Sequence, residues 1–247
     1  MMKIIKLKNR TCSDNIIPSI SDPIEQNIKY MREFFNHCVQ DAEYKHEIQR
    51  KLFHILTIII LPLLYIFLSK KHMLMLIFPL SLLIIAADFY RHRIPQIELI
   101  FNKAFGHILR ETELAKKSWT GASYMAIAAI IVFTICPKAI AICAFSILAV
   151  SDCLAALVGK KMTSKEFFEK SVAGSIAFGV SAFIILIICG IFTHQHLGYY
   201  LFGAFAVFAT TIIEARPSFF SVDDNLTIPL VFTTVMMFFG LVWDLHY

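Results

Sequence analysis

Asp152 stands in a run, 139–159, that is apolar apart from Ser146, Ser151 and this one acid. A carboxylate at membrane depth is expensive and marks a protein interior or a water-filled cavity with a function. Ala149, Asp152, Ala156 and Gly159 share one helical face, which leaves room beside the acid for a neighbouring helix, a lipid headgroup or a phosphate. Gly159-Lys160-Lys161 follows directly and opens a loop carrying Lys165 and Lys170. An acid below a basic loop can hold a metal ion and a phosphate. The alternative is that Asp152 pairs with a cation of another helix and fixes packing. That alternative requires a cation at similar depth, and the other apolar runs carry none in mid-span.

Further groups join this reading. Lys170-Ser171-Val-Ala-Gly174-Ser175 reads as a helix start whose backbone N–H groups could face an anion. Glu214 precedes Arg216-Pro217, and Asp223-Asp224-Asn225 opens the last apolar run. One residue suffices for an N-cap, so adjacent carboxylates beyond it point to Mg²⁺, which favours one or two carboxylates plus phosphate oxygens. No GxxxxGK[ST] is present, so this is not a nucleotide P-loop. His54 follows Arg50-Lys51 by one turn and is a better functional candidate than His194 or His196.

The elements that must position these residues are membrane helices. The chain of 247 residues is 57% hydrophobic and 17% charged, which excludes an ordinary soluble domain. The expectation is an all-α, multi-pass membrane protein with seven spans, at 52–68, 73–90, 121–136, 138–158, 171–192, 197–213 and 226–245. With a cytoplasmic N-terminus, only Lys70, Lys71 and Lys138 of the 23 lysines and arginines lie on the outer side, as the positive-inside rule requires. Of the 18 acids only Asp244 falls outside the inner loops and inner helix ends. The chemistry therefore belongs on the cytoplasmic face, in a bacterial inner membrane or the endoplasmic reticulum. The net charge of +5, concentrated there, suits an anionic leaflet or a nucleotide phosphate rather than nucleic acid.

Residues 1–46 read as a cytoplasmic or interfacial arm broken by Pro18 and Pro23, and 47–247 as the membrane domain. No signal peptide is apparent. The segment 94–117 reads as an amphipathic interfacial helix, with Ile94, Ile97, Phe101 and Phe105 on one face and Lys103, Arg110 and Glu113 on a polar stripe. Cys12, Cys38, Cys136, Cys143, Cys153 and Cys189 show no CxxC spacing and read as free thiols.

The set Arg50-Lys51-Leu-Phe-His54, Arg110-Glu-Thr-Glu113, Ser151-Asp152 through Gly159-Lys160-Lys161, Lys170 through Ser175, and Glu214 with Asp223-Asp224-Asn225-Leu-Thr-Ile-Pro229 resembles the CTP-dependent lipid-alcohol kinases. These are dolichol kinase, phytol kinase and CTP-dependent diacylglycerol kinase, and phosphatidate cytidylyltransferase is a more distant likeness. The likeness runs from Glu47 to the C-terminus. Relatives often have Gly at the Ser151 position, Phe-Gly at Met162-Thr163 and Glu at Ala173, so the 160–173 loop departs from the pattern.

The resemblance implies transfer of the γ-phosphoryl of CTP to a lipid hydroxyl, with diacylglycerol the first choice and a polyprenol such as dolichol, or phytol, the second. It implies Asp152 with Glu113 and Glu214 as catalytic groups, and Asp223, Asp224 and Asp152 at Mg²⁺ or another divalent cation. Arg50, Lys51, Arg110, Lys160, Lys161, Lys170, Ser171, Gly174 and Asn225 would hold the nucleotide. The rival reactions are cytidylyl transfer to phosphatidate and, in another class, transport coupled to a proton or cation at Asp152.

Overall fold

The computed structural model describes residues 24–106, 118–162, 166–220 and 222–242. The chain divides into two compact units, Met1–Ile48 and Gln49–Tyr247. The helices in the described residues are α1 (Ile24–Phe67), α2 (Lys70–Arg91), α3 (Pro95–Phe105), α4 (Gly121–Ile135), α5 (Lys138–Lys161), α6 (Val172–Phe192), α7 (Leu197–Ala215) and α8 (Asp224–Val242). Six stretches are long and apolar enough to cross a membrane: Glu47–Phe67 within α1, and α2, α5, α6, α7 and α8. The chain is an all-α membrane protein at this level of description. The third expected span, α4, has 15 residues, about 22 Å of helix against a hydrocarbon core of about 30 Å.

A small ribbon departs from the all-helical expectation. β1 (Glu166–Phe167) pairs antiparallel with β2 (Lys170–Ser171), with Phe167 opposite Lys170. Phe168 in its turn adopts a φ of 57°, a left-handed conformation uncommon outside glycine.

The core is organised around α5. In its apolar window 72% of residues are buried, against 22–33% in the other five. Alanines on α5 let neighbours approach, and α6 packs along it while α8 lies against α7, α4 and α5. The α5–α6 crossing rests on glycines. A Cβ on Gly159 would meet the Ser171 Oγ at 2.8 Å, and one on Gly174 would meet the Ala155 carbonyl oxygen at 2.9 Å. Tyr65, Phe133 and Phe145 join α1, α4 and α5, with ring centroids 5.0 and 4.9 Å apart. At the end of the bundle away from Asp152, Lys138 donates to the carbonyls of Ile66 and Leu68 at 2.9 and 3.1 Å. The C-terminal end of α1 is thereby satisfied.

Candidate functional site

Asp152 is 5% exposed, one turn deeper in α5 than Ala155 and Ala156, and it has a cation. Lys51 Nζ on α1 donates to its Oδ2 at 2.5 Å, and Lys51 is itself 3% exposed. No other expected span carries a cation in mid-span, yet Asp152 is paired, because its partner lies just outside the first expected span, 52–68. Lys51 sits at the mouth of the first span, and its long side chain reaches the acid's depth, as amphipathic side chains do. His54, one turn on, places Nε2 3.5 Å from the same Oδ2, buried and without a hydrogen bond. Among the described residues both contacts fall on Oδ2 and leave Oδ1 to receive a hydrogen.

The second cluster is built by the ribbon. Glu169 N–H donates to the Ala215 carbonyl at 3.2 Å. Its carboxylate accepts from the Ser218 N–H at 3.2 Å and from the Ser218 hydroxyl. The ribbon is thus pinned to the end of α7, and Lys170 on β2 faces inward. Lys170 Nζ donates to Glu214 Oε1 at 2.6 Å and Asp224 Oδ2 at 3.0 Å. Burial works to lower the Lys170 pKa, but Asp224, Glu214 and Asp152 outweigh it and hold the ammonium well above the ordinary lysine value. Asp152's share in that field ties the two clusters into one electrostatic unit. Glu214 is 1% exposed, and its Oε2 is buried with no hydrogen-bond partner.

The start of α8 completes this face. Asp223 Oδ1 accepts from the Asn225 N–H at 2.9 Å, and the Asp223 carbonyl accepts from Leu226 and Thr227 at 3.0 and 3.2 Å. Asp223 therefore does the capping, while Asp224 is turned to Lys170. Asn225 packs on the start of α4, where a Cβ on Gly121 would fall 2.5 Å from its Nδ2. A larger residue there would push the Asn225 amide aside.

Several expected nucleotide contacts lie elsewhere. Ser171 caps α6, its hydroxyl accepting the Gly174 N–H at 3.1 Å. Gly174 is spent on the crossing with Gly159. In the structure Ser171 serves the cap of α6 and Gly174 the α5–α6 crossing. Lys160 and Lys161 are exposed at the end of α5, two turns from Asp152, and make no ion pair among the described residues. Arg110 and Glu113 lie outside the described residues, as does the rest of 107–117; Pro95–Phe105 is helical with Ile94 at its N-cap.

Lys51 occupies Asp152 Oδ2, so a metal at that oxygen would have to displace a buried ammonium. His54, Asp152 and Cys153 do bring one ligand atom each within 4.8 Å of one another. This nitrogen, oxygen and sulfur set is soft in character and unlike a Mg²⁺ site. The hard oxygen donors are Glu214 and Asp224, with Asp223 beside them. The described cysteines, Cys136, Cys143, Cys153 and Cys189, are free and buried.

A groove of about 620 Å³ meets the Asp152 cluster at His54. Arg50, His54, Asp88, Thr120 and Asn225 line one end, and Leu61, Leu64, Leu76 and Leu80 are among its apolar wall. Such a volume is ordinary for a small-molecule or lipid site.

Asp88 is a residue that sequence reasoning missed. It is 2% exposed at the end of α2, and its Oδ2 accepts from the Thr120 N–H at 2.8 Å, the Thr120 hydroxyl at 3.1 Å and the Ser123 hydroxyl at 2.6 Å. Arg91 pairs with its other oxygen and donates to the Ser118 carbonyl at 2.9 Å. This knot seats the α4 N-terminus, and with it Gly121 against Asn225. The spacing of Asp88 and Arg91, three apart at a span's polar end, was the available signal.

The fold and site define a helical membrane protein with a buried, mixed-charge cluster opening on an apolar groove. The chain is 32% identical over 196 residues to a Rickettsia prowazekii (strain Madrid E) protein whose printed name is "Uncharacterized protein RP860". The match covers 78% of this chain and 94% of that protein. The chain belongs to that protein's family. No family model matches, and no solved structure matches.

Proposed function

We propose that the chain is a membrane kinase that moves the terminal phosphoryl of a nucleoside triphosphate, CTP by resemblance, onto a lipid hydroxyl. The observation that carries this reading is the junction at His54, where the polar end of an apolar groove meets the Lys51–Asp152 pair. A lipid lying in the groove would bring its hydroxyl to Asp152, while charged groups on the same side receive the triphosphate.

The N-terminus is cytoplasmic in this reading, α4 is a short seventh crossing, and the site faces the cytoplasm. The charge asymmetry of the loops supports that sidedness. The lipid oxygen attacks the γ-phosphorus as its proton passes to Asp152 Oδ1, and the bond from the γ-phosphorus to the β–γ bridging oxygen breaks. The products are a lipid phosphate, a nucleoside diphosphate and one proton returned to solvent. Lys51 orients the Asp152 carboxylate through its contact with Oδ2. His54, whose Nε2 is buried without a hydrogen bond, positions the hydroxyl. Lys170 and Arg50 supply positive charge to the phosphates, which is what phosphoryl transfer chiefly asks of a protein. The orphaned Glu214 Oε2 and Asp224, with Asp223, have the hard-oxygen character that would hold Mg²⁺, which supplies charge neutralisation on the triphosphate.

The test uses purified protein in detergent with CTP labelled in the γ-position, offered diacylglycerol, phytol and a dolichol. The label is expected in lipid phosphate. Release of pyrophosphate from CTP and phosphatidate would instead assign cytidylyl transfer, and ion flux across vesicles without nucleotide would assign transport.

A further inference from the structure

Asp152 has a neighbour on α5 that the phosphoryl transfer above does not use. Cys153 is fully buried, and its Sγ donates to the Lys51 carbonyl at 3.5 Å, so the thiol faces α1. One turn beyond Lys51, α1 brings His54 to the same place. One ligand atom each from His54, Asp152 and Cys153 lies within 4.8 Å of the other two. Among the described residues no other three histidine, cysteine or acid side chains stand that close.

The spacing is near that of a coordination shell. Donors about 2.0–2.3 Å from a tetrahedral ion stand about 3.3–3.8 Å apart. His54 Nε2 and Asp152 Oδ2 are 3.5 Å apart. The nitrogen is nonetheless buried without a hydrogen bond. Buried polar atoms rarely stay unpartnered, and a metal ion is a common partner of an imidazole nitrogen. The thiol needs to close by at most about 1 Å to join them.

The donor types select the ion. Imidazole, thiolate and one carboxylate suit Zn²⁺ and similar cations, whereas Mg²⁺ and Ca²⁺ ask for oxygen donors. Three protein ligands leave a fourth tetrahedral position for water, and the groove reaches the cluster at His54, which gives an ion its way in. Lys51 is the competitor, because its Nζ holds Oδ2 at 2.5 Å. As the ion enters, the Cys153 thiol loses its proton to solvent. Thiolate and carboxylate together then neutralise the two positive charges, and the ammonium is repelled. Its long stem starts at the mouth of the span, beside Arg50, and can carry the charge toward water.

We propose that His54 Nε2, Asp152 Oδ2 and Cys153 Sγ form a binding site for a divalent cation of the Zn²⁺ class, in which the ion takes the place of the Lys51 ammonium. The site is separate from the hard-oxygen set of Glu214 and Asp224. Binding itself stands apart from any catalysis. Its consequence for activity rests on the kinase reading: with Oδ2 on the ion and Lys51 released, Asp152 no longer takes the hydroxyl proton, and the bound ion switches transfer off.

The experiment titrates the purified, chelator-treated full chain in detergent with Co²⁺, whose absorption reports both tetrahedral geometry and a thiolate ligand. One ion per chain with both features is expected, displaced by Zn²⁺ and left in place by millimolar Mg²⁺. Cys153→Ser should abolish the thiolate band, and His54→Gln should weaken binding by at least about tenfold. Cys12→Ser combined with Cys38→Ser should leave the spectrum intact. Lys51→Met removes the competing ammonium and should tighten binding by about tenfold or more. Where that variant does not fold, the spectra of wild type and Cys153→Ser decide alone.

A missing thiolate band, a band that survives Cys153→Ser, or displacement of the ion by Mg²⁺ would overturn the proposal. Transfer from γ-labelled CTP is then followed as Zn²⁺ rises. Half-inhibition is expected at the Kd of the ion, and at a Zn²⁺ concentration at least about tenfold higher in Cys153→Ser, relative to that variant's own rate. Transfer that continues with the ion bound overturns the switch. One ion bound through Cys153 in a protein that phosphorylates no lipid upholds the site and discards the kinase reading.

Discussion

Lys51 Nζ and Asp152 Oδ2 meet at 2.5 Å across 101 residues of sequence, both side chains almost fully buried. Replacing one partner leaves an uncompensated charge in a low-dielectric setting, whereas replacing both with apolar groups does not. Lys51→Met alone should therefore destabilise by about 3–5 kcal/mol. The double variant Lys51→Met, Asp152→Leu should recover most of that loss and stay inactive. Thermal unfolding in detergent, read beside phosphoryl transfer, separates the two roles. A double variant that regains activity would reduce the pair to packing.

Asp152→Asn keeps shape and removes the proton acceptor. Phosphoryl transfer should fall by at least about a hundredfold, with a much smaller change in apparent affinity for CTP. Full activity in this variant would remove Asp152 from the chemistry. Measuring kcat and KM separately is essential, because a purely structural effect would lower the amount of folded enzyme without that split.

Lys170 offers a test against Lys160 and Lys161. Lys170→Met strands the buried carboxylate of Glu214 and the partly buried one of Asp224 and should cost about 3 kcal/mol, the low end for a buried pair. Lys160→Ala and Lys161→Ala, at exposed positions with no ion pair among the described residues, should change stability by less than about 0.5 kcal/mol. Comparable melting shifts for all three would contradict the placement of Lys170.

The pH dependence of Lys170 follows from its raised pKa. Burial opposes the charge, and Asp224, Glu214 and Asp152 more than offset that effect. For a base raised on folding, the stabilisation is complete below the unfolded value, about 10.4 for lysine, and is lost as pH climbs through the higher folded value. The melting deficit of Lys170→Gln relative to wild type should accordingly stay constant between about pH 6 and pH 9 and shrink only in stronger alkali. A deficit that shrinks across the neutral range would place proton loss from Lys170 there, against its three acidic neighbours.

Gly174→Ala tests the α5–α6 crossing. Its Cβ would stand 2.9 Å from the Ala155 carbonyl oxygen, a backbone atom that cannot swing aside. The expected cost is about 1–3 kcal/mol of overpacking, seen as a lower unfolding temperature. An unchanged temperature would show that the two helices can separate without penalty.

The apolar stretches, their lengths and the one-sided distribution of charge were legible from residue order, because membrane crossing depends on local length and hydrophobicity. Asp152, Glu214, Lys170 and Asp224 were legible as candidates for the same reason: ionisable groups beside apolar runs are costly. The ribbon at Glu166–Ser171 was not legible. It is only two residues per strand and is held by Glu169 reaching Ser218 and Ala215, partners that no local pattern announces. The capping by Ser171 and the packing of Gly174 against Gly159 and Ala155 were not legible either, because an N-cap and an anion site share the same composition.

Residue order by itself thus determined a membrane-embedded helical chain with acids and lysines gathered toward one end of its spans. Tertiary structure alone decided which charges face each other. Lys51 answers Asp152, Lys170 answers Glu214 and Asp224, and Asp88 is consumed in seating Thr120 and Ser123. The reason is physical: hydropathy is a property of each segment, whereas compensation of a buried charge is a property of two segments brought to the same depth by packing.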